Sequence, residues 1–440
     1  MPDATTHPQT TEAPEPALRR RLGLFAVSMS GVGIILGAGI YVLVGAAAGD
    51  AGNGVWLAFA IGAAVAAPTG LAFAELAAMF PEAGASAVYS REALGVRLGF
   101  LTGWFDLAVS TVGAAAVAIG FGGYFDDLLT GGVVPIAIAV LITSGIITYI
   151  GVRETVTVAV IFTALEATGL LIVIAVGIPH LGDVPLFQIQ GNWLGVLGAA
   201  SLVYFAYQGF EEIATLSEET INPTRNIPRA IVVAVIVTTT LYILVAMAAV
   251  SSLPWQQLAD SEAPLADAVR AVSNHRLADV ISTIALFATF NTVLLLIATG
   301  ARLAYGMAHR RLLPVALSRV SASRGTPWLA TLVITTLAIA LASTGDISFV
   351  AQVTNFAVFG LFALVNASVI ALRLRRPHTP RPFHIPWNIK GVPLVAVLGL
   401  AGNLLLALFM DWDAFRAGLV LLTVGLLASI FAVRYERAPA

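Results

Sequence analysis

Apolar residues fill long uncharged runs of this chain, and polar residues gather in the gaps between them. Twelve runs can be marked: 22–48, 55–80, 101–125, 133–151, 155–179, 193–216, 228–250, 280–306, 328–344, 347–372, 392–410 and 414–433. A helix needs about 20 apolar residues, rising 1.5 Å each, to cross the hydrocarbon core of a bilayer. The pattern therefore predicts an all-α membrane protein with twelve transmembrane helices.

The first run, LGLFAVSMSGVGIILGAGIYVLVGAAA, is longer than a bilayer needs and carries no charge. Its centre holds Gly31, Gly33, Gly37 and Gly39, and Gly45 follows. Glycine in a helix interior costs roughly 1 kcal/mol against alanine, so a plain anchor has no use for such a cluster. Two physical reasons fit it. Small residues allow close helix packing, and Gly33 and Gly37 have the G-x-x-x-G spacing. Alternatively, the helix breaks at mid-membrane, where freed amides and carbonyls can hold a polar ligand.

A second candidate break lies in the sixth run, WLGVLGAASLVYFAYQGFEEIATLSEETINPTRNIPRAI. It contains Gly195, Gly198 and Gly209, followed by Glu211 and Glu212. Interruptions at corresponding places in two halves are the sequence mark of an inverted-repeat transporter. The first run opens a block of five spans (22–179) and the sixth opens another (193–373). An odd number of spans per block inserts the second block upside down. Two further spans, within 392–433, lie outside the repeat.

Arg and Lys near the ends of short loops set orientation. With an even number of spans, nineteen basic residues fall on the side of the N-terminus, three on the other, and Arg302 within the eighth span. This predicts both termini inside the cell. Residues 1–21 read as a disordered cytoplasmic tail, rich in Pro, Thr and Glu and closed by Arg19, Arg20 and Arg21. The span that follows is too long for a signal-peptide core and reads as retained. The loop 251–279 carries WQQLADSEAPLADAVRAV, one or two amphipathic helices placed as an outer lid. The inner stretch from Phe80 to Phe100 has a helical pattern, with Tyr89, Ala93 and Val96 on one side.

Composition agrees. Of 440 residues, 58% are hydrophobic and 11% charged, whereas soluble domains have about 25% charged residues. There is no cysteine, hence no disulfide and no thiol chemistry. The six histidines are scattered, none at metal-ligand spacing. No nucleophile–base pair or metal cluster emerges, which disfavours an enzyme, and no nucleic-acid partner is expected. A sensor or channel is disfavoured too, for want of a soluble domain or a charged pore ring.

Ionisable residues within the bilayer are expensive and mark functional sites or local pairs. Glu75, Asp106 and Arg302 sit near inner ends, where snorkelling or an ion pair suffices. Glu166 lies near the middle of the fifth span with no basic residue beside it. A carboxyl there is a candidate proton carrier or a neutral hydrogen-bonding group. Glu211 follows the second candidate break. It could line the substrate path, gate it, contact a cationic side chain, or cap the restarting half-helix. Glu218 and Glu219 are expected to pair with Arg225 or Arg229.

Five stretches resemble the amino acid–polyamine–organocation superfamily of secondary transporters. They are GIILGAGIYVLVGAAAGDAG, FAELAAMFPEAGASAVYSREALG, FLTGW, YFAYQGFEEIATLSEETINPTRNIPRAI and FNTVLLLIATGARLAYGMAHRRLLP. Together they extend over roughly residues 20–375, in order and with the right spacing to the spans. The nearest likeness is to cationic amino acid transporter-like and bacterial broad-specificity permeases.

The resemblance implies a leucine-transporter-like 5+5 inverted repeat with broken first and sixth helices and two extra C-terminal spans. It implies amino acid transport across the cell membrane by alternating access. The substrate-binding residues it implies are Ile35, Gly37, Ala38, Gly39, Ile40, Phe205, Tyr207, Gln208, Gly209 and Glu211. The substrate carboxylate would meet the amides of Ala38 and Gly39, and its α-amino group the carbonyls of Ile35, Phe205 and Gln208. Phe205 and Tyr207 would form an aromatic gate.

This chain departs from the pattern twice. Some sodium-independent members place a lysine in the fifth span, where Glu166 stands here. Ala38 stands where several relatives have serine, which leaves backbone amides alone for the carboxylate. Proton symport through Glu166, without sodium and without a cofactor, is the preferred expectation; exchange, or transport of polyamines or organic cations, is the alternative. The substrate's side chain, an accessory subunit and a dimer are left open.

Overall fold

The computed structural model describes residues 22–80, 85–151, 156–187, 192–389 and 391–436. The expected N-terminal tail lies outside the described residues.

The first apolar run does not form one helix. It gives α1 (Leu24–Leu36) and α2 (Gly39–Ala51). A 3-10 turn at Gly52–Gly54, entered through Gly52 at φ +59°, reverses into α3 (Val55–Met79). Next come α4 (Ala85–Leu94), α5 (Val96–Leu128), α6 (Val133–Ile150) and α7 (Val156–Gly177). The sixth run is likewise divided, into α8 (Trp193–Val203) and α9 (Phe210–Thr215). Then follow α10 (Pro223–Ser252), α11 (Trp255–Ala259), α12 (Pro264–Val272), α13 (His275–His309), α14 (Trp328–Ala342) and α15 (Ile347–Arg375). A two-residue antiparallel pair, β1 (Asn388–Ile389) with β2 (Val392–Pro393), leads into α16 (Leu394–Ala407) and α17 (Trp412–Glu436).

Among the described residues, nine stretches are long and apolar enough to cross a membrane. One of them, Gly39–Met79, holds both α2 and α3, and α1, α14 and α16 are shorter apolar helices. The molecule is a mostly helical, multi-pass membrane protein. Position follows from burial: the apolar window of α5 is 83% buried, those of α6 and α17 only 28% and 22%. So α5 runs through the middle, while α6 and α17 turn most of their surface outward.

Small residues bring the helices together. A Cβ on Gly31 would strike Ile213, and one on Gly33 would overlap the side chain of Thr163 on α7. Both glycines therefore serve packing. The start of the first divided run and the end of the sixth are joined as well. Leu22 N donates to Glu219 O at 3.0 Å and Ile221 N to Leu22 O at 2.9 Å, a short parallel bridge.

The short amphipathic helices expected in the loop 251–279 are present as α11 and α12. Leu258, Leu265 and Ala266 on them are wholly buried, and the Leu258 carbonyl would lie 2.5 Å from a Cβ on Gly45. Arg270 on α12 grips Asp127 at the end of α5 with two hydrogen bonds of 2.8 and 2.9 Å. It also pairs with Asp267 on its own helix. Asp127 holds the Arg270 guanidinium above its ordinary pKa, through the hydrogen bond first and its charge second.

Candidate functional site

At Gly37 the backbone leaves the helical region, at φ 11° and ψ −150°. Helix α2 restarts beyond Ala38, and its first hydrogen bond runs from Val42 N to Ala38 O at 3.1 Å. The last carbonyls of α1 therefore have no donor, and the first amides of α2 no acceptor, within their own helices. The exposed backbone polarity is concentrated at mid-run, where a bilayer offers no water.

The second break is longer. After Val203 the chain tightens into a 3-10 turn, Tyr204–Tyr207. Gln208 is extended, and Gly209 sits in the left-handed region at φ +115°, which favours glycine. Helix α9 then starts, and Glu211 accepts a 2.9 Å hydrogen bond from the Gly209 amide. That is the capping role open to Glu211.

The two breaks touch. A Cβ on Gly39 would lie 2.5 Å from Ala206 Cα, and one on Gly209 2.7 Å from Ile34 Cγ2. Tyr242 of α10, wholly buried, places its hydroxyl 2.5 Å from Ile35 O, 3.0 Å from Ala206 O and 3.4 Å from Leu36 O. One hydroxyl thus sits against carbonyls of both breaks.

A cavity of about 350 Å³ opens at this junction. Ile35, Gly37, Ala38, Gly39, Phe205, Gln208, Gly209, Glu211 and Glu166 line it. Ile40 and Tyr207 do not. Tyr207 turns to α3, its hydroxyl donating to Phe59 O at 2.8 Å and its ring 5.4 Å from that of Tyr242. The expected aromatic pair over the ligand is thereby reduced to Phe205. The side-chain nitrogen of Gln208 has no hydrogen-bond partner among the described residues.

Further walls come from α5 and α13, where Asp106 alone stood out in the sequence. Helix α5 supplies Asp106, Val109 and Ser110; α13 supplies Asn291, Thr292, Leu295, Leu296 and Thr299. A second cavity, of about 600 Å³, shares Asp106, Glu211, Glu212, Glu219 and Thr299 with the first. It continues past Arg91, Arg302 and Arg310. The two spaces form one path, and carboxylates line its neck.

Glu166 is 2% exposed, and among the described residues its carboxyl makes neither a hydrogen bond nor an ion pair. Its backbone is held instead. Tyr41 donates to Glu166 O at 2.7 Å, Tyr124 donates to Tyr41 O at 2.8 Å, and Leu265 N of α12 reaches Tyr124 Oη at 3.4 Å.

Glu75 takes the ion pair expected of it, with a partner on a distant helix. Glu75 pairs with Arg373 at 2.6 and 2.8 Å, both nearly dry, with Arg381 at 3.4 Å and the Ile385 amide at 2.9 Å. Arg302 is exposed and opens onto the second cavity. Among the described residues no ion pair joins Glu219 to Arg225 or Arg229. The chain after α9 winds tightly and bonds to Leu22, and this turns Glu219 to the cavities. The side chain of Glu218 lies outside the described residues.

The amino acid permease family model matches residues 22–423. The chain is 29% identical to the branched-chain amino acid permease BcaP of Bacillus subtilis, over 94% of this chain and 92% of that protein. It is 34% identical to an uncharacterized transporter of Mycobacterium tuberculosis, over 93% and 91%. It is 29% identical to human cationic amino acid transporter 4, over 84% and 62%. The chain belongs to the amino acid permease family, within the superfamily that its motifs resemble.

Proposed function

We propose that this member of the amino acid permease family is a secondary transporter that binds amino acids at the junction of its two helix breaks. The observation that carries this is the contact of the breaks around one cavity, Gly39 on Ala206 and Gly209 on Ile34. The restarting α2 turns its positive end to the cavity and suits a carboxylate. The carbonyls of Ile35, Phe205 and Gln208 suit an ammonium group. Ile35 O keeps a lone pair for a ligand beside Tyr242, since a carbonyl accepts twice.

The fold fits a 5+5 inverted repeat with two extra spans, α1–α2 pairing as the first span and α8–α9 as the sixth. Basic residues on the side of the second cavity favour the cytoplasm there. The cavities join towards that side while α11 and α12 cover the other, so this state faces inward.

The space beside the head-group site is walled by Val109, Phe205, Leu295 and Leu296, which favours aliphatic neutral side chains, as does the similarity to a branched-chain permease. Glu166, buried and without a partner, serves as the proton site, because a charge there is costly unless it is neutralised. A second reading, cationic substrates, rests on Asp106, Glu211 and Glu212 along the path.

The test is uptake into proteoliposomes of a panel of amino acids and polyamines, at two pH values, with and without sodium. Leucine, isoleucine or valine should enter, faster with acid outside and unaffected by sodium. Uptake of arginine or spermidine alone refutes the aliphatic assignment.

A further inference from the structure

Helix α16 lies outside the two five-span blocks and is apolar throughout, LVAVLGLAGNLLLA, except for Asn403. A lone amide in an apolar span is expensive unless it is bonded, and its bonds identify its purpose. Asn403 is wholly buried. Its nitrogen donates to Thr69 Oγ1 at 3.0 Å and to Gly399 O at 2.6 Å. Its oxygen accepts from the hydroxyl of Tyr204 at 2.9 Å. Thr69, on α3, also accepts from Asn366 of α15 at 2.9 Å. Tyr204 begins the 3-10 turn of the second break, and its neighbour Phe205 lines the cavity.

We infer that Asn403 is a positioning residue for the substrate site: the eleventh span holds the second break in register through Tyr204. Three points carry it. Both donors of the Asn403 amide go to fixed helical partners, which aims its oxygen. The Tyr204 ring is pinned on its other side by Phe359, with centroids 4.8 Å apart. A turn of four residues transmits displacement at Tyr204 directly to Phe205. Asn355 of α15 supports the same segment, donating to Ser201 O and Leu202 O at 2.7 and 2.8 Å. The carbonyls that the break frees are thus met by side chains. The extra span then contributes to substrate affinity without touching substrate.

This rests on the proposed transport reading, and the experiment separates the two. The full chain is compared with Tyr204→Phe, Asn403→Leu and the double variant. Tyr204→Phe removes a single oxygen and keeps the ring packing. KM and Vmax are measured for leucine uptake in proteoliposomes, and hydrogen exchange is followed over residues 200–209. Each single variant should raise KM about fivefold, the size of one hydrogen bond, with Vmax within about twofold. The double variant should match the singles, because both delete one interaction. Exchange should quicken over residues 200–209 alone. An unchanged KM in Tyr204→Phe, or effects that multiply in the double variant, overturns the inference. If the unaltered chain moves no amino acid, the transport reading fails, and the exchange result decides the positioning role by itself.

Discussion

The Tyr242 hydroxyl lies 2.5 Å from the Ile35 carbonyl oxygen. The two residues are 207 positions apart, and the same hydroxyl stands 3.0 Å from Ala206 O. Broken helices leave carbonyls without amides, and in a dry interior each such group needs a donor. Tyr242 supplies one to the place where both breaks meet, from a helix that is itself unbroken.

Tyr242→Phe should therefore leave the fold in place and weaken the site. An unmet buried acceptor costs about 1–3 kcal/mol, so substrate affinity should fall roughly tenfold or more. Substrate binding to the purified variant, measured calorimetrically beside its melting temperature, checks this. Affinity equal to that of the unaltered chain would remove Tyr242 from the site.

Glu166→Gln keeps the shape of the side chain and removes its proton chemistry. Accumulation driven by acid outside should disappear, while exchange of labelled for unlabelled substrate persists. Gradient-driven accumulation that survives in the variant would sink the proton-site assignment.

The glycines of the first run separate by role. Gly39→Val would push a side chain into the Ala206 backbone, and overpacking of this kind costs about 1–3 kcal/mol or more. A lowered melting temperature and poor yield are expected. At Gly37 a Cβ would meet only Thr292 Oγ1 at 3.2 Å and Ile34 O at 3.4 Å. Gly37→Ala should fold and reduce binding, since the methyl group stands at the cavity wall. Equal melting temperatures for the two variants would contradict this division.

Arg270→Gln should loosen α11 and α12. The Arg270–Asp127 pair is partly exposed, one guanidinium nitrogen meeting both carboxylate oxygens, and such a pair is worth about 1 kcal/mol. Hydrogen exchange over residues 255–272 should quicken about fivefold, with residues 85–94 unchanged. Unaltered exchange in α11 and α12 would show that apolar packing alone holds them.

The breaks were legible because glycine declares itself: no other residue serves at φ +115°, and Gly37 and Gly209 mark both interruptions. The helices α11 and α12 were legible from their amphipathic pattern. What was not legible is tertiary. Tyr242, Tyr204 and Asn403 are single polar groups in apolar helices, and a span shows the same hydropathy whichever way each points. Tyr207 and Phe205 read alike, yet the tight turn sends one to α3 and the other to the cavity. Glu75 was expected near the inner end of its span, but its partner Arg373 lies 298 positions away. No local spacing could have named it.

The junction of the two breaks is tested most directly by competition against substrate counterflow in proteoliposomes loaded with leucine. Leucine carries both the carboxylate and the ammonium group, leucine methyl ester lacks the first, and 4-methylpentanoate lacks the second. A site made of α2 amides and of carbonyls from both breaks requires both groups, so leucine should compete and both analogues should fail. An ester that competes as well as leucine would contradict the assignment of the α2 amides to a carboxylate.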